Sequence, residues 1–98
     1  MRRAAKVDSN QAEVVAAFRV FGFSVLHLYQ VGKGCPDILL GCKKGNVLVE
    51  IKDGKKPPSA RELTSDEKEF HKNWRGPIYV IETMEDVITL AKKILWED

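Results

Sequence analysis

The stretch Pro36-Asp37-Ile38-Leu39-Leu40-Gly41-Cys42-Lys43-Lys44-Gly45-Asn46-Val47-Leu48-Val49-Glu50-Ile51-Lys52 decides how the rest of the chain is read. Two runs rich in Ile, Leu and Val flank a short polar segment, which is the signal of a β-hairpin. The spacing predicts strands over 37–42 and 47–52 joined by the loop 43–46. Side chains alternate between the two faces of a strand. Ile38, Leu40, Val49 and Ile51 therefore form one apolar face, while Asp37, Glu50 and Lys52 interrupt the other. If the loop has four residues, Cys42 faces Val47, Asp37 lies opposite Lys52, and Leu39 lies opposite Glu50. All three charged groups then share one face at the open end of the hairpin. A bulge or a slip of one residue would separate them.

Outward from the hairpin, the chain alternates helices and strands without repeats or linkers. Asp8-Ser9-Asn10 offers capping residues for a helix whose Val14, Phe18 and Phe21 fall on one face, and Gly22 stops it. Residues 23–30 read as a strand that is apolar on both faces and hence buried. Val31-Gly32-Lys33-Gly34-Cys35-Pro36 is a loop. After the hairpin, residues 53–60 form a polar, proline-bearing loop. Thr64 and Glu67 make a capping box for a helix that runs to about Trp74. Gly76-Pro77 ends that helix, residues 78–81 form a short strand, and a last helix runs from Met84 to about Leu95, with Val87, Leu90, Ile94 and Leu95 inward. The predicted order is αβββαβα, an α/β fold with a central mixed sheet flanked by helices.

Composition sets the outer bounds. The chain has 98 residues, 44% hydrophobic and 31% charged. The length suits one domain spanning 1–98, and the apolar fraction is too high for a disordered chain. No apolar run reaches the roughly 18 residues of a membrane span. The opening Met1-Arg2-Arg3-Ala4-Ala5-Lys6 leads into no apolar segment, so no secretory signal is expected. Cys35 and Cys42 make neither a disulfide framework nor, with His27 and His71, a zinc motif. Both are expected to be reduced, in a cytoplasmic protein. The net charge of +2 is unevenly spread. Residues 31–61 hold seven basic and three acidic side chains, whereas residues 62–98 hold five basic and nine acidic ones. A basic segment inside a near-neutral chain suits a polyanion such as nucleic acid. Solvating lysines account for it equally well.

Charged residues are depleted from central strands unless they have a task. The chemistry that calls for two carboxylates and a lysine at one strand end is metal-assisted phosphodiester hydrolysis. Asp37 and Glu50 offer hard oxygens to Mg²⁺ or Mn²⁺, and the Ile51 backbone carbonyl can add another. Such a metal polarises the phosphate and acidifies a bound water. Lys52 can orient that water or steady charge on the phosphate. The plainer alternative is a surface ion pair, Asp37 with Lys52, beside a stray glutamate.

Pro36-Asp37 followed by Glu50-Ile51-Lys52 resembles the signature of the PD-(D/E)XK nuclease superfamily. Gly32-Lys33-Gly34-Cys35-Pro36-Asp37-Ile38-Leu39-Leu40, Val49-Glu50-Ile51-Lys52-Asp53-Gly54, Leu63-Thr64-Ser65-Asp66-Glu67-Lys68-Glu69-Phe70 and Asn10-Gln11-Ala12-Glu13 resemble one branch of it. That branch is the VRR-NUC (virus-type replication-repair nuclease) domains that stand alone in phages and bacteria. The resemblance implies a restriction-endonuclease-like core, with Asp37 and Glu50 as metal ligands and Lys52 as the catalytic lysine. It also implies that Glu13, on the first helix, completes the acidic site directly or through water. Without the resemblance, Glu13 is an ordinary first-turn acid favoured by the helix dipole. At the position of Glu67 the family often has glutamine, so Glu67 is assigned here to the capping box alone.

The expected function is a Mg²⁺- or Mn²⁺-dependent endonuclease acting on branched or junction DNA in a bacterial or phage-infected cell. Stand-alone members resemble Holliday-junction resolvases, which implies a homodimer because one small site cuts one strand. The alternative is a nucleic-acid-binding module of the same fold without turnover. Lys33, Lys43, Lys44, Lys55, Lys56 and Arg61 flank the site in sequence and are candidates for phosphate contacts. His27 reads as a packed histidine, and Tyr29 and Trp74 as core or interface. Gly32-Lys33-Gly34 lacks the spacing of a Walker loop, so no nucleotide cofactor is expected.

Overall fold

The computed structural model describes residues 9–97. Asp8 and the basic opening segment of the sequence lie outside them. The elements run α1 (Gln11–Val20), β1 (Ser24–His27), β2 (Ile38–Cys42), β3 (Gly45–Ile51), a short 3-10 turn (Pro58–Ala60), α2 (Ser65–Asn73), β4 (Ile78–Ile81) and α3 (Met84–Trp96). The strands lie in the order β1-β2-β3-β4, antiparallel except for the parallel β3–β4 pair. The architecture is therefore α/β, with a four-stranded mixed sheet and three helices. Among the described residues, no helix is long and apolar enough to cross a membrane.

The alternation in the hairpin builds the core. Ile38, Leu40, Val49 and Ile51 are fully buried and pack with Val14, Val15 and Phe18 of α1 and with Val87, Leu90 and Ala91 of α3. Phe18 and Phe23 meet edge to face, with ring centroids 5.7 Å apart. Two capping boxes start the later helices. Thr64 with Glu67 opens α2 and Thr83 with Asp86 opens α3. The side chain of Asn10 does not cap α1. Its amide donates instead to the carbonyls of Lys52 and Glu82 at 3.1 and 3.5 Å, tying the start of α1 to the ends of β3 and β4.

The hairpin closes more tightly than the sequence reading has it. Cys42 pairs with Gly45, and Lys43-Lys44 is a two-residue turn, so the register is shifted by two residues. Gly45 makes this possible, because it adopts φ +128°, a conformation that strains any side chain. A shift of two preserves the faces. Leu39 now lies opposite Leu48, so Leu39, Leu48, Glu50 and Lys52 still share the face opposite the core. The expected pairs Asp37–Lys52 and Leu39–Glu50 are replaced.

Strand β1 is shorter and more open than expected. It covers four residues at the sheet edge, with Leu26 57% exposed and His27 exposed. Its apolar composition does not bury it, because β2 is its one neighbour in the sheet and its outer face carries no helix of the core. His27 is thus a surface residue with its ring beside Tyr29, not a packed one.

Gly45→Ala should cost about 1 kcal/mol or more in urea unfolding, because alanine cannot relax at that φ. The neighbouring exposed Asn46→Ala should stay within about 0.5 kcal/mol of wild type. Equal effects would speak for the looser four-residue loop.

Candidate active site

Asp37 sits where β2 begins and is pinned on three sides. Its N–H donates to the Val49 carbonyl at 3.1 Å, and its carbonyl accepts from the Leu28 N–H at 2.8 Å. The side chain does the third job. Strand β3 runs on past β2, and its Ile51 N–H finds its acceptor in the Asp37 carboxylate, at 2.6 Å from Oδ2. The structure thus brings the amide of Ile51 to Asp37, and in a strand the carbonyl of the same residue faces the same side.

Glu50 points to the same side from the buried middle of the sheet. It is 3% exposed, and its Oε1 is buried without a hydrogen-bond partner. Burial first, then the negative charges of Asp37 and Glu67, push its carboxyl up from the ordinary 4.5 to about 9, with Lys52 opposing them. A group in this condition is protonated at neutral pH unless a cation joins it.

Lys52 is the cation beside these acids. Its ammonium donates to Glu67 Oε1 at 2.7 Å and lies 3.8 Å from Glu50 Oε2. Glu67 was assigned to the capping box, and the structure gives it that job and a second one. Oε1 accepts from the Thr64 N–H at 2.9 Å and from Lys52 together. Burial works to raise the Glu67 carboxyl, but these two donors hold it below the ordinary carboxylate value. The sequence signal for the cap was clear. The signal for the lysine contact was missing, because it depends on how α2 docks. That docking is set by Gly34, where a Cβ would run into the backbone of Asp66 and Glu67.

Two further groups feel this cluster. Burial, then Glu50 and Asp37, push the Cys35 thiol upward, which keeps it protonated and unreactive. His71, one turn along α2 from Glu67, is lowered by burial and by Lys52 against the pull of Glu67. Its Nε2 is buried without a hydrogen-bond partner.

Glu13 is exposed on α1 and lines a cleft with Asn10, Asp53, Gly54, Lys55 and Glu82, a lining that includes neither Asp37 nor Glu50. Asp53 is held there below the ordinary value by the Lys55 N–H and the Ser9 hydroxyl. Among the described residues, no group of three or more His, Cys, Asp or Glu side chains could hold a metal ion. Glu13 therefore does not make Asp37 and Glu50 into a three-carboxylate site. The candidate side-chain donors are this pair, close together, with one orphaned buried oxygen, beside the Ile51 carbonyl as a backbone candidate. That set fits Mg²⁺ or Mn²⁺, because Mg²⁺ commonly binds one or two carboxylates and takes its other ligands from water and phosphate.

The basic candidates divide by position. Lys43 and Lys44 occupy the closed end of the hairpin, and Lys44 donates to the Leu95 carbonyl at the end of α3. The five residue steps from Gly45 to Glu50 place them about 17 Å from Glu50 along the strand. Arg61 is paired with Glu82 at 3.2 Å. Lys55 lines the cleft with Glu13 and Asp53, Lys56 follows it, and Lys33 stands on the glycine loop against α2. Comparisons with protein families, with characterised proteins and with solved structures returned no match.

Stability should depend on pH through Glu50. Its raised pKa means that its contribution is fully present below about 4.5 and is lost as the pH rises through about 9. In EDTA the melting temperature should therefore fall across that window, and Glu50→Gln should flatten the fall. Mg²⁺ or Mn²⁺ should raise the melting temperature more at pH 8 than at pH 5. A cation effect of equal size at both values would place the ion elsewhere.

Proposed function

We propose that the chain is a Mg²⁺- or Mn²⁺-dependent endonuclease with a restriction-endonuclease-like core, of the VRR-NUC kind, that hydrolyses phosphodiester bonds in DNA. The observation that carries this reading is the buried Glu50 carboxyl, one oxygen unpartnered, beside Asp37 and the Lys52–Glu67 pair. Such a cluster is costly in a sheet this small and makes sense when a cation and a phosphate complete it. Asp37 and Glu50 would hold the metal, which would polarise the phosphodiester and lower the pKa of an attacking water.

The chain's own groups supply the remainder. The Ile51 N–H fixes the orientation of the Asp37 carboxylate. Glu67 holds the Lys52 ammonium along the acidic face. From there Lys52 donates a hydrogen bond to a non-bridging phosphate oxygen, where negative charge grows. Lys33, Lys55 and Lys56 steer the backbone, each adding a salt-dependent contact. One such site cuts one strand, so a paired cut at a four-way junction calls for a homodimer.

One observation favours a second reading, a nucleic-acid-binding module of the same fold without turnover. Glu13, which the family resemblance would bring to the acids, lies in a separate cleft.

Branched and linear DNA, each with Mg²⁺, with Mn²⁺ and with EDTA, separate the two. Cutting should require metal and favour the branched substrate. Lys52→Ala should slow it about 10²- to 10³-fold, and Glu67→Gln about 10- to 100-fold. Retarded but intact DNA under every metal would support the binding module. Lys52→Ala cutting at the wild-type rate would sink the assignment of Lys52.

A further inference from the structure

One face of α2 carries Glu67 to Lys52. The same face continues through Phe70 and Trp74, three and seven residues on, about 4.5 and 10 Å along the helix axis. The two rings stack, with centroids 5.3 Å apart and planes 15° from parallel. Trp74 is 47% exposed, so it is not a core residue, the first of the two places the sequence suggests for it. Gly76 lies against its indole, where a Cβ would come within 3.0 Å of Nε1. The ring is thereby held in place while one side stays open.

The opposite wall is the glycine loop. Gly32, Lys33 and Gly34 all take positive φ, at +84°, +55° and +79°. Lysine rarely adopts that conformation, and residues so held cluster where a side chain must be aimed. The fit of Gly34 against Asp66 and Glu67 locks loop to helix. Between them lies an open cavity of about 570 Å³ lined by Lys33, Asp66, Glu69, Phe70, Asn73 and Trp74. The wall is mixed: a flat aromatic surface, one ammonium, and the carboxylates of Asp66 and Glu69, the latter bonded to the Asn73 amide at 2.9 Å.

We infer that this cavity binds one unpaired nucleobase of the strand held at the acidic cluster. The inference rests on the nuclease reading and specifies what its substrate must present. A base stacks on the exposed indole face, and the Phe70–Trp74 stack behind it stiffens that platform. The Lys33 ammonium meets the adjoining phosphate. The Asp66 and Glu69 carboxylates repel backbone phosphates and accept hydrogen bonds from base amino groups, so the cavity takes the base and excludes the backbone. The short distance along α2 puts this base within a nucleotide or two of the bond at Asp37 and Glu50. The substrate would therefore be a flap, a gap or a strand end with unpaired nucleotides, rather than continuous duplex or a fully paired four-way junction.

The test is binding by fluorescence anisotropy, with Ca²⁺ in place of Mg²⁺ so that the strand stays whole. Labelled flap DNA is compared with the same DNA carrying one abasic nucleotide in the unpaired arm, the abasic position being moved along it. Wild-type protein should lose about 5- to 100-fold in affinity at one or two abasic positions. Trp74→Ala should bind both DNAs alike, and Trp74→Phe should keep most of the difference. Lys33→Gly, which tolerates the positive φ, should weaken both DNAs equally and lower the salt slope by about one. Wild-type protein that binds and cuts flap DNA but ignores every abasic position would overturn the base pocket and leave the nuclease reading standing. Wild-type protein that neither binds nor cuts any DNA would overturn both.

Discussion

The burial of Glu50 among two other carboxyls is the constraint around which this end of the sheet is arranged. A lone carboxylate in the middle of a sheet is costly, and like charges beside it raise the cost. Asp37 escapes the same penalty by accepting a backbone N–H from Ile51. Glu67 escapes it by accepting from Thr64 and Lys52. Glu50 meets it by keeping its proton, hydrogen-bonded to Asp37, since Lys52 stands 3.8 Å away and is already engaged with Glu67. Without that proton the cluster is one cation short, which is why a divalent ion and a phosphate make a coherent completion.

The fold supplies this geometry with modest means. Period-two alternation in β2 and β3 separates the core face from the acidic face. The parallel partner β4 extends support past the end of β2, where the Ile81 carbonyl accepts from the Lys52 N–H at 2.9 Å. Asn10 bridges the ends of β3 and β4 from below, so the backbone that carries Lys52 is held from both sides.

What the sequence made legible follows from which features are periodic. The faces of β2 and β3 could be read because alternation survives any even shift in register. The register itself could not, since loops of two and four residues give the same faces, and the choice falls to the single positive φ of Gly45. The capping role of Glu67 was local and readable. Its bond to Lys52 was not, because it spans 15 residues and depends on a backbone-to-backbone fit at Gly34. Composition also misled at β1, where apolar side chains suggested burial but the strand lies at the edge.

Helix α2 has no buried residue of its own, unlike α1 and α3, which carry the core. It is held by a close backbone fit and by the Lys52–Glu67 bond, contacts with little apolar surface behind them. Its free energy of docking is therefore largely separate from that of the sheet, in the manner of a local folding unit. The sheet can be fully formed while the lysine is unclamped. Assembly of the cluster and folding of the chain are then two equilibria, and a ligand that touches both the sheet and α2 would couple them.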